Sequence, residues 1–397
     1  MTILIIATLL LILHWSLEYR RHSRNVASIP IRVHVNGTRG KSSVTRLIAA
    51  GFRAGGLKTI AKITGTLPRM VLQDGREAAI IRLQGANIIE QKYIFRHAAK
   101  EKPDAIVIEC MAVNPVFQWI TERKFVKSTI SVITNSRPDH LDLMGSTVQS
   151  VTMCLANTIP VGGICFTSEV AQYHLLKKAA DARNCKISRP DYIEVSPEDM
   201  LKFRHIEHVE NVQLALAVCA EAGVPRDVAL AGMQAANPDP GALRKYVIKD
   251  RGKEIHFYNV FAANDPESTV YIINMVTAEL TQATKIVILN SRADRLFRSQ
   301  QLVDAMAKVN YDYLLLTGEI PDKVEAYALS HGVKKEKLIA LGQPLTDKVY
   351  KQVWDLTDKE AHVLGIGNIA GEIKYGAQIV AHFKHKIPKA KKGADRG

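Results

Sequence analysis

The order of apolar and polar residues predicts two helices and two strands in four segments of the chain. Met1 to Leu17 is uncharged and mostly apolar, and as a helix it spans roughly 25 Å at about 1.5 Å per residue. Residues 29–35 (IPIRVHV) alternate and are rich in β-branched side chains, which predicts a strand. Residues 44–56 (VTRLIAAGFRAGG) have helical spacing and end in a glycine pair, which predicts a helix and its stop. Residues 103–109 (PDAIVIE) predict a further, continuously apolar strand.

The flanks of the first helix predict an uncleaved membrane anchor. Arg20, Arg21 and Arg24 follow the apolar segment, and cationic residues after a span favour a cytoplasmic location for everything downstream. A cleaved signal peptide needs a charged start and a small-residue cleavage site, and the sequence has neither. A buried core helix fits poorly because the segment is apolar all round. We therefore expect a single-pass anchor in the cell membrane, with the rest of the chain in the cytoplasm.

Composition excludes several protein classes and predicts an anionic partner. With 397 residues, 47% of them apolar, the chain is long enough for two or three domains and too apolar for general disorder. The net charge of +14 favours nucleic acid, anionic lipid or an acidic substrate as partner. Nucleic acid is disfavoured, because aromatic residues make up only 6% and no basic patch is interleaved with them. Five cysteines without a CxxC pair predict core residues in a reducing compartment.

The segment NGTRGKSS at 36–43 lies between the predicted strand and helix, which is the context of a phosphate-binding loop. Backbone amides and the helix N-terminus bind phosphate oxygens in such a loop. Lys41 is expected to reach the terminal phosphates, and the Ser42 hydroxyl to bind Mg²⁺. The motif is the short form, because Val35 stands where the common spacing has another glycine. The residues expected to contact the phosphate-bearing cofactor are Asn36, Gly37, Thr38, Arg39, Gly40, Lys41, Ser42 and Ser43.

Acidic and imidazole groups follow two further predicted strands and are candidates for a metal site. Glu109 ends the strand at 103–109, and an acid at the C-terminal end of a parallel strand beside a phosphate loop is a common Mg²⁺ ligand. The segment TNSRPDHLDLMG places Asp139, His140 and Asp142 just beyond another strand. By itself this segment fits a polar surface loop, but the neighbouring phosphate loop favours a metal-binding or catalytic loop.

Together, VNGTRGKSS, the strand-end Glu109 and TNSRPDHLD resemble the Mur-type ATP-dependent amide ligases, which include the folylpolyglutamate synthases. The anchor and the basic charge narrow the resemblance to the ligase subunits of poly-γ-glutamate capsule synthases. The resemblance implies ATP and Mg²⁺ as cofactors, with Ser42, Glu109 and His140 as metal ligands. It also implies catalytic roles for Lys41 and His140, the latter either on the metal or orienting water or substrate. Asp139 is expected to position the imidazole.

The resemblance implies further contacts, each on a weaker match. In the stretch HVENVQLALAVCAEAG, which is similar to the family's His-Asn-x-x-Asn helix, only Asn211 matches. The hinge-like PGALRKY offers Arg244 as an ATP contact, and Asp294 lies in a stretch similar to the family's Asp-Arg loop. Residues 64–91 are expected to form a loop over the nucleotide. The family's carbamylated lysine has no counterpart, since residues 147–158 contain no lysine. Guessed contacts within the nucleotide loop are Arg69, Arg82 and Gln84.

The alternation of apolar strands and amphipathic helices predicts an α/β fold with parallel sheets. We expect an anchor at 1–24, followed at 25–245 by a P-loop-type parallel-sheet nucleotide domain that is Mur-ligase-like. A smaller C-terminal Rossmann-like domain with a basic tail is expected at 246–397. The boundary is placed in NPDPGALRKY, where proline and glycine cluster.

The resemblance implies an ATP-dependent amide ligase that polymerises glutamate through γ-amide bonds by way of an acyl phosphate. Its expected partners are glutamate, anionic poly-γ-glutamate, other membrane subunits of a synthase or export complex, and anionic lipid, with a homo-oligomer left open. Two alternatives remain, a membrane-anchored nucleotide-dependent scaffold or switch and a folylpolyglutamate-type ligase acting on a small acceptor. The basic tail from His382 is expected to be either solvated or in contact with lipid headgroups.

Overall fold

A computed structural model divides the chain into two compact units, Met1–Asp239 and Pro240–Gly397. Each unit contains one sheet with buried apolar clusters on both faces, so the α/β class expected from the sequence is confirmed. The division falls inside the proline- and glycine-rich stretch NPDPGALRKY, while the roles of the two domains stay predictions. The structure describes residues 1–64, 68–82, 85–203, 207–237, 244–261, 266–278, 280, 282–369 and 374–387.

The first unit is built on an eight-stranded sheet. Its strands are β1 (Ile31–Asn36), β2 (Thr59–Ile63), β3 (Arg69–Val71), β4 (Glu77–Ala79), β5 (Ala105–Glu109), β6 (Ile130–Ile133), β7 (Ile164–Thr167) and β8 (Lys186–Ser188). Its α-helices are α1 (Thr2–Ala27), α2 (Lys41–Ala54), α3 (Glu90–Lys100), α4 (Pro115–Ile120), α5 (Leu141–Met144), α6 (Val148–Leu155), α7 (Tyr173–Asp181), α8 (Pro197–Leu201), α9 (Val209–Glu221) and α10 (Arg226–Ala235). A π-helical turn, Thr121–Val126, follows α4.

The strand order is β4-β3-β2-β5-β1-β6-β7-β8, and all pairs from β2 to β8 are parallel. Parallel strands end at the same edge of a sheet, so the segments after β1, β5 and β6 lie side by side. Val33 and Val35 of β1 share one buried cluster with Leu47 and Phe52 of α2, which fixes the helix over the strand. All five cysteines are buried and free, as expected for core residues.

The first helix extends three residues beyond the expected anchor and ends at Ala27 rather than at residue 24. It is long and apolar enough to cross a membrane, and its most apolar part is exposed. Its last turns belong to the first unit, because His22 and Val26 are buried and His22 Nε2 lies 3.0 Å from the carbonyl oxygen of Phe125. The helix therefore joins an exposed apolar segment to a docked C-terminal end.

The expectation of a loop over the nucleotide at 64–91 is wrong for its central part. β3 and β4 form an antiparallel hairpin on the edge of the sheet, paired through β3 to β2. Asp74 and Gly75 form the turn, with Gly75 at φ +82° and the Asp74 carboxylate accepting from the Arg76 amide at 2.9 Å. Arg69 is a strand residue of β3, and Gln84 lies outside the described residues.

The second unit is built on a six-stranded sheet in the order β13-β12-β11-β14-β10-β9, in which only β9 runs antiparallel to its neighbour. This mainly parallel arrangement, with apolar clusters on both faces, is typical of a Rossmann-like sheet. Its strands are β9 (Arg244–Asp250), β10 (Lys253–Asn259), β11 (Thr284–Ser291), β12 (Tyr313–Gly318), β13 (Leu338–Gly342) and β14 (Glu360–Gly367). Its α-helices are α11 (Pro266–Thr277), α12 (Leu296–Met306), α13 (Pro321–Ser330), α14 (Thr346–Leu356) and α15 (Tyr375–His385).

Candidate nucleotide-binding site

The connection from β1 to α2 has the backbone of an anion-binding loop. Gly37 at φ +132° and Gly40 at φ +81° adopt conformations that residues with a side chain rarely take. A Cβ at Gly37 would lie 2.9 Å from the backbone nitrogen of Thr134, so the loop passes close to the end of β6. The 14-residue helix α2 begins at Lys41, and its unpaired N-terminal amides and dipole favour an anion at this point.

Asn135 holds the loop from the neighbouring strand end. Its carboxamide oxygen accepts from the Thr38 hydroxyl at 2.7 Å and from the Arg39 amide at 3.1 Å. Its carboxamide nitrogen donates to the carbonyl oxygen of Arg39 at 3.2 Å. The Thr134 hydroxyl donates to the same carbonyl oxygen at 2.5 Å. These contacts from Thr134 and Asn135 fix the shape of the loop, and a loop held in shape by the protein loses less entropy on binding a ligand.

The Lys41 ammonium group lies against the loop backbone. Nζ donates to the carbonyl oxygen of Gly37 at 2.6 Å and to that of Thr38 at 3.3 Å. Burial lowers the pKa of Lys41, and the carboxylates of Glu109 and Asp139 act against this shift. A cation held against the loop at the N-terminus of α2 is suited to bind phosphate oxygens.

Ser42 and Glu109 meet directly below the loop. The Ser42 hydroxyl lies 3.1 Å from both carboxylate oxygens of Glu109, and the Thr64 amide donates to one of these oxygens at 2.7 Å. Glu109 ends β5 and is buried. Neighbouring ligands of an octahedral ion with bonds of about 2.1 Å are about 3 Å apart, so this hydroxyl–carboxylate pair fits two adjacent ligands of Mg²⁺.

Asp139 and His140 reach the loop from the segment after β6. Asp139 Oδ2 lies 3.3 Å from the Arg39 guanidinium, and Asp139 Oδ1 lies 4.0 Å from His140 Nε2. His140 adopts φ +44° at the start of α5, and its side chain is half exposed. Asp139 is therefore paired with the loop through Arg39, whereas its 4.0 Å separation from the imidazole is too long for a hydrogen bond. Direct metal binding by His140 stays a prediction.

Asn211 packs against the loop although the family motif around it is incomplete. A Cβ at Gly40 would lie 2.7 Å from Asn211 Oδ1, and the carboxamide nitrogen of Asn211 donates to Glu207 at 2.7 Å. Asn211 is buried in the first turn of α9. The structure thus brings this predicted residue to the phosphate loop, at the glycine that opens α2.

The remaining predicted residues are placed less directly. The carboxamide of Asn36 is buried and donates to Gln118 at 2.8 Å and to Thr158 at 3.2 Å, so this side chain is part of the sheet's internal network. Ser43 lies in the first turn of α2. Arg244 begins β9 of the second unit. Asp294 is largely exposed and pairs with Arg292 at 2.7 Å.

Sequence reasoning did not predict two features of this unit, the role of Asn135 at the loop and a buried lysine. Asn135 is the second residue after β6, and this position at a strand end is a signal in the sequence that it could reach the loop. The second feature is Lys62, whose ammonium is fully buried and lies 2.7 Å from Glu90. Burial lowers the pKa of Lys62, whereas the Glu90 carboxylate opposes the shift. Arg82, guessed as a nucleotide contact, donates to the same carboxylate at 2.7 Å.

Two family models match the chain, and each match lies within one of the two units. Residues 35–162 match the Mur ligase middle domain, which contains the phosphate loop, Glu109 and His140. Residues 245–386 match the poly-gamma-glutamate synthase CapB C-terminal domain. The resemblance inferred from the loop, strand-end and histidine motifs is therefore confirmed.

The chain is also similar to two curated proteins over most of its length. It is 35% identical to PGA synthase CapB of Bacillus subtilis (strain 168) over 394 residues, covering 97% of this chain and 99% of the relative. It is 35% identical to the capsule biosynthesis protein CapB of Bacillus anthracis over 370 residues, covering 92% and 80% of the two chains.

Among solved structures, the fold is similar to the bifunctional folylpolyglutamate synthase/dihydrofolate synthase of Yersinia pestis, solved with AMPPNP and a manganese ion. The TM-score is 0.68 at 16% identity, over 92% of this chain and 93% of that structure. This similarity confirms the expected fold.

Proposed function

The chain belongs to the CapB family, and from that premise we propose that it is an ATP-dependent amide ligase that joins glutamate residues through γ-amide bonds. The observation that carries the proposal is the Ser42–Glu109 pair beside the phosphate loop. Neither a purely structural sheet nor a peptide-binding surface requires a hydroxyl, a buried carboxylate and a lysine at the N-terminus of one helix. Those groups together suit phosphoryl transfer.

The chemistry needs ATP because a carboxylate has no adequate leaving group for attack by an amine. Transfer of the γ-phosphoryl group to the substrate carboxylate yields an acyl phosphate and ADP. Attack by the amine of the next glutamate then forms the amide and releases phosphate and a proton. Negative charge spreads over the phosphoryl oxygens during transfer, so the protein's task is positioning and charge stabilisation.

The described residues divide this task. Lys41 and the loop amides bind the phosphates, and Asn135 keeps the loop in the binding conformation. Ser42 and Glu109 would hold Mg²⁺, with His140 as a further candidate ligand, and the ion supplies charge neutralisation on the phosphates. Asp139 would position Arg39 at the edge of the site.

The polymer substrate is supported by electrostatics as well as by the names of the relatives. Each γ-linked glutamate carries a free carboxylate, so the growing chain is a polyanion. A protein of net charge +14 concentrates such a chain near its surface. We therefore assign glutamate and poly-γ-glutamate as substrates and a γ-linked polymer as product.

The anchored end of the chain supports a contact with anionic lipid. Tyr19 of α1 lies beneath the Lys127 ammonium, 5.4 Å from the ring centre. Lys127, Arg32 and Arg123 line a cavity of about 410 Å³ at the start of β1 and β6. Because this basic cavity adjoins the last turns of the anchor helix, we assign it to the membrane side, where other subunits of a synthase would also assemble.

The test is acyl-phosphate trapping with hydroxylamine, using the full-length chain in detergent micelles with ATP, Mg²⁺ and glutamate oligomer. The wild-type chain should form hydroxamate and release phosphate. Lys41→Met should lower both by at least about 100-fold, since a positioned cation is removed from the transition state. Lys58→Met, which removes an exposed lysine of the same unit, should retain both activities.

Other outcomes separate the alternatives. ATP turnover without hydroxamate would indicate a nucleotide-dependent switch rather than a ligase. Hydroxamate formed with a small acceptor but never with glutamate oligomers would indicate a folylpolyglutamate-type ligase. Wild-type activity in Lys41→Met would remove the loop from the mechanism.

A further inference from the structure

The second unit carries a group of imidazole and carboxylate side chains on two adjacent strands. Glu254 and His256 lie on β10, and Glu360 and His362 lie on β14. The two strands are parallel neighbours in register, with Glu254 beside Glu360 and His256 beside His362. Residues two apart on a strand project from the same face, so all four side chains share one face of the sheet. They lie at the N-terminal ends of the strands.

The ligand atoms of three of these four side chains are close enough to share one ion, and the fourth, Glu254, contacts one of the three. Those of His256, Glu360 and His362 all lie within 4.8 Å of one another. Glu360 Oε1 is 2.9 Å from His362 Nε2 and 3.8 Å from His256 Nε2. Glu254 Oε1 is 2.6 Å from His256 Nε2. In a tetrahedral site with bonds of about 2.1 Å the ligand atoms are about 3.4 Å apart, which these side chains reach by small rotations.

Tyr258 orients one of the two imidazoles, that of His362, as a metal ligand. Both histidines are nearly buried, with 9% of His256 and 5% of His362 exposed, whereas the two glutamates open the group to solvent. The Tyr258 hydroxyl lies 3.1 Å from His362 Nδ1. A hydrogen bond at Nδ1 fixes the ring and leaves Nε2 facing the carboxylates, which is the usual support of a ligating histidine.

Three lysines lie near these four side chains, but the carboxylate oxygens nearest the histidines remain available to an ion. Lys249 Nζ lies 3.3 Å from Glu254 Oε2, the oxygen that faces away from His256. Lys245 lies over the Tyr258 ring at 5.7 Å. Lys285 stands beside His362 in the register of β11. The carboxylates of Glu254 and Glu360 offset the positive charge of these lysines at the place where an ion would bind.

We propose that His256, His362, Glu360 and Glu254 form a binding site for a divalent transition metal of the zinc type. Two imidazole nitrogens and two carboxylate oxygens suit Zn²⁺ or Co²⁺, whereas Mg²⁺ prefers an all-oxygen shell. The ion would join the N-terminal ends of β10 and β14 and so stabilise the second unit. This site is made only of residues of the second unit, and the proposal does not depend on the proposed ligase reaction.

The experiment uses Co²⁺ as a spectroscopic probe on the full-length chain in detergent micelles after metal removal. Excess Mg²⁺ is present throughout to occupy the Ser42–Glu109 pair. The wild-type chain should develop the intense visible absorption of tetrahedral Co²⁺, saturating at one ion per chain, and Zn²⁺ should abolish it. His256→Gln/His362→Gln should lose the absorption, and the matched control His331→Gln, at an exposed histidine of the same unit, should retain it.

A milder variant protects the test against misfolding. The Glu360 side chain is about half exposed, so Glu360→Gln should keep the melting temperature of the metal-free chain. It should weaken Co²⁺ binding at least tenfold, because changes to the residues around a metal ion typically lower its affinity by about 10–100-fold. Zn²⁺ should raise the melting temperature of the wild-type chain more than that of this variant. Absence of tetrahedral absorption in the wild-type chain, its persistence in His256→Gln/His362→Gln, or an unchanged Co²⁺ affinity in Glu360→Gln would overturn the proposal.

Discussion

His34 and Glu122 form a buried ion pair whose loss should make the first unit less stable at high pH. His34 lies on β1, three residues before the phosphate loop, and is completely buried. Its Nδ1 is 2.8 Å from Glu122 Oε2, and the other Glu122 oxygen accepts from the amide and the hydroxyl of Ser128, each at 2.9 Å. Burial disfavours the charged imidazole, but Cys110 and Glu122 outweigh it and raise the pKa of His34 to about 9.

The sign of the pH dependence follows from that direction. The unfolded histidine titrates near 6.5, so the folded chain binds this proton more tightly than the unfolded chain. The stabilisation is complete below about pH 6.5 and is lost as the pH rises through about 9. At about 1.4 kcal/mol for each pKa unit, its upper bound is about 3 kcal/mol.

Glu122→Gln keeps the shape of the side chain and removes the charge that holds the proton. We expect the difference in unfolding free energy between the wild-type chain and this variant to fall by up to about 3 kcal/mol between about pH 6 and pH 9.5. Urea unfolding in micelles is followed by pulsed hydrogen exchange of a peptide that covers β1. This readout reports unfolding of the first unit separately from that of the second. Glu336→Gln, at an exposed glutamate, should follow the wild-type pH profile. A difference that stays constant or grows with pH would refute the assignment.

Three further predictions concern the site and its substrate. Gly40→Ala should weaken nucleotide affinity at least tenfold, measured by calorimetry, because φ +81° and the 2.7 Å approach to Asn211 both exclude a methyl group. Asn135→Ala should cost about 1–3 kcal/mol of nucleotide-binding free energy, since the Thr38 hydroxyl and the Arg39 amide lose their acceptor. An unchanged dissociation constant would contradict the role of Asn135 in holding the loop. Turnover with polymer should fall with salt more steeply than turnover with free glutamate, because charge attraction to a polyanion is screened within about 10 Å at 0.1 M salt.

The local parts of the fold could be predicted from the sequence. β1, the glycine loop and α2 form one continuous stretch, so alternation, glycine spacing and helical periodicity located them to within a few residues. Glu109 was also predictable, because it ends an apolar strand of the kind that borders such a loop. The hairpin of β3 and β4 was predictable as well, since Asp74-Gly75 between β-forming residues is a strong turn signal. The resemblance to the family led instead to the expectation of a loop.

The contacts that depend on strand order could not be predicted in this way. His34 and Glu122 are 88 positions apart, and only the packing of the turn after α4 against β1 brings them together. His256 and His362 are neighbours because β14 inserts between β10 and β11, which no local pattern reports. The same limit applies to Asn135, whose role requires that β6 lie directly beside β1.

The topology of the first unit also relates the proposed anchor to the proposed active site. α1 ends at Ala27 and β1 begins at Ile31, so the anchor leads directly into the central strand of the sheet. Its docked turns contact the carbonyl oxygen of Phe125 and lie beside Lys127, at the edge where β6 begins. The phosphate loop starts at the other end of β1, and six residues at about 3.3 Å each separate the two edges by about 20 Å. In the proposed anchored state the basic edge would face the lipid surface, and the phosphate loop would lie about one strand length away, open to ATP and glutamate from solution.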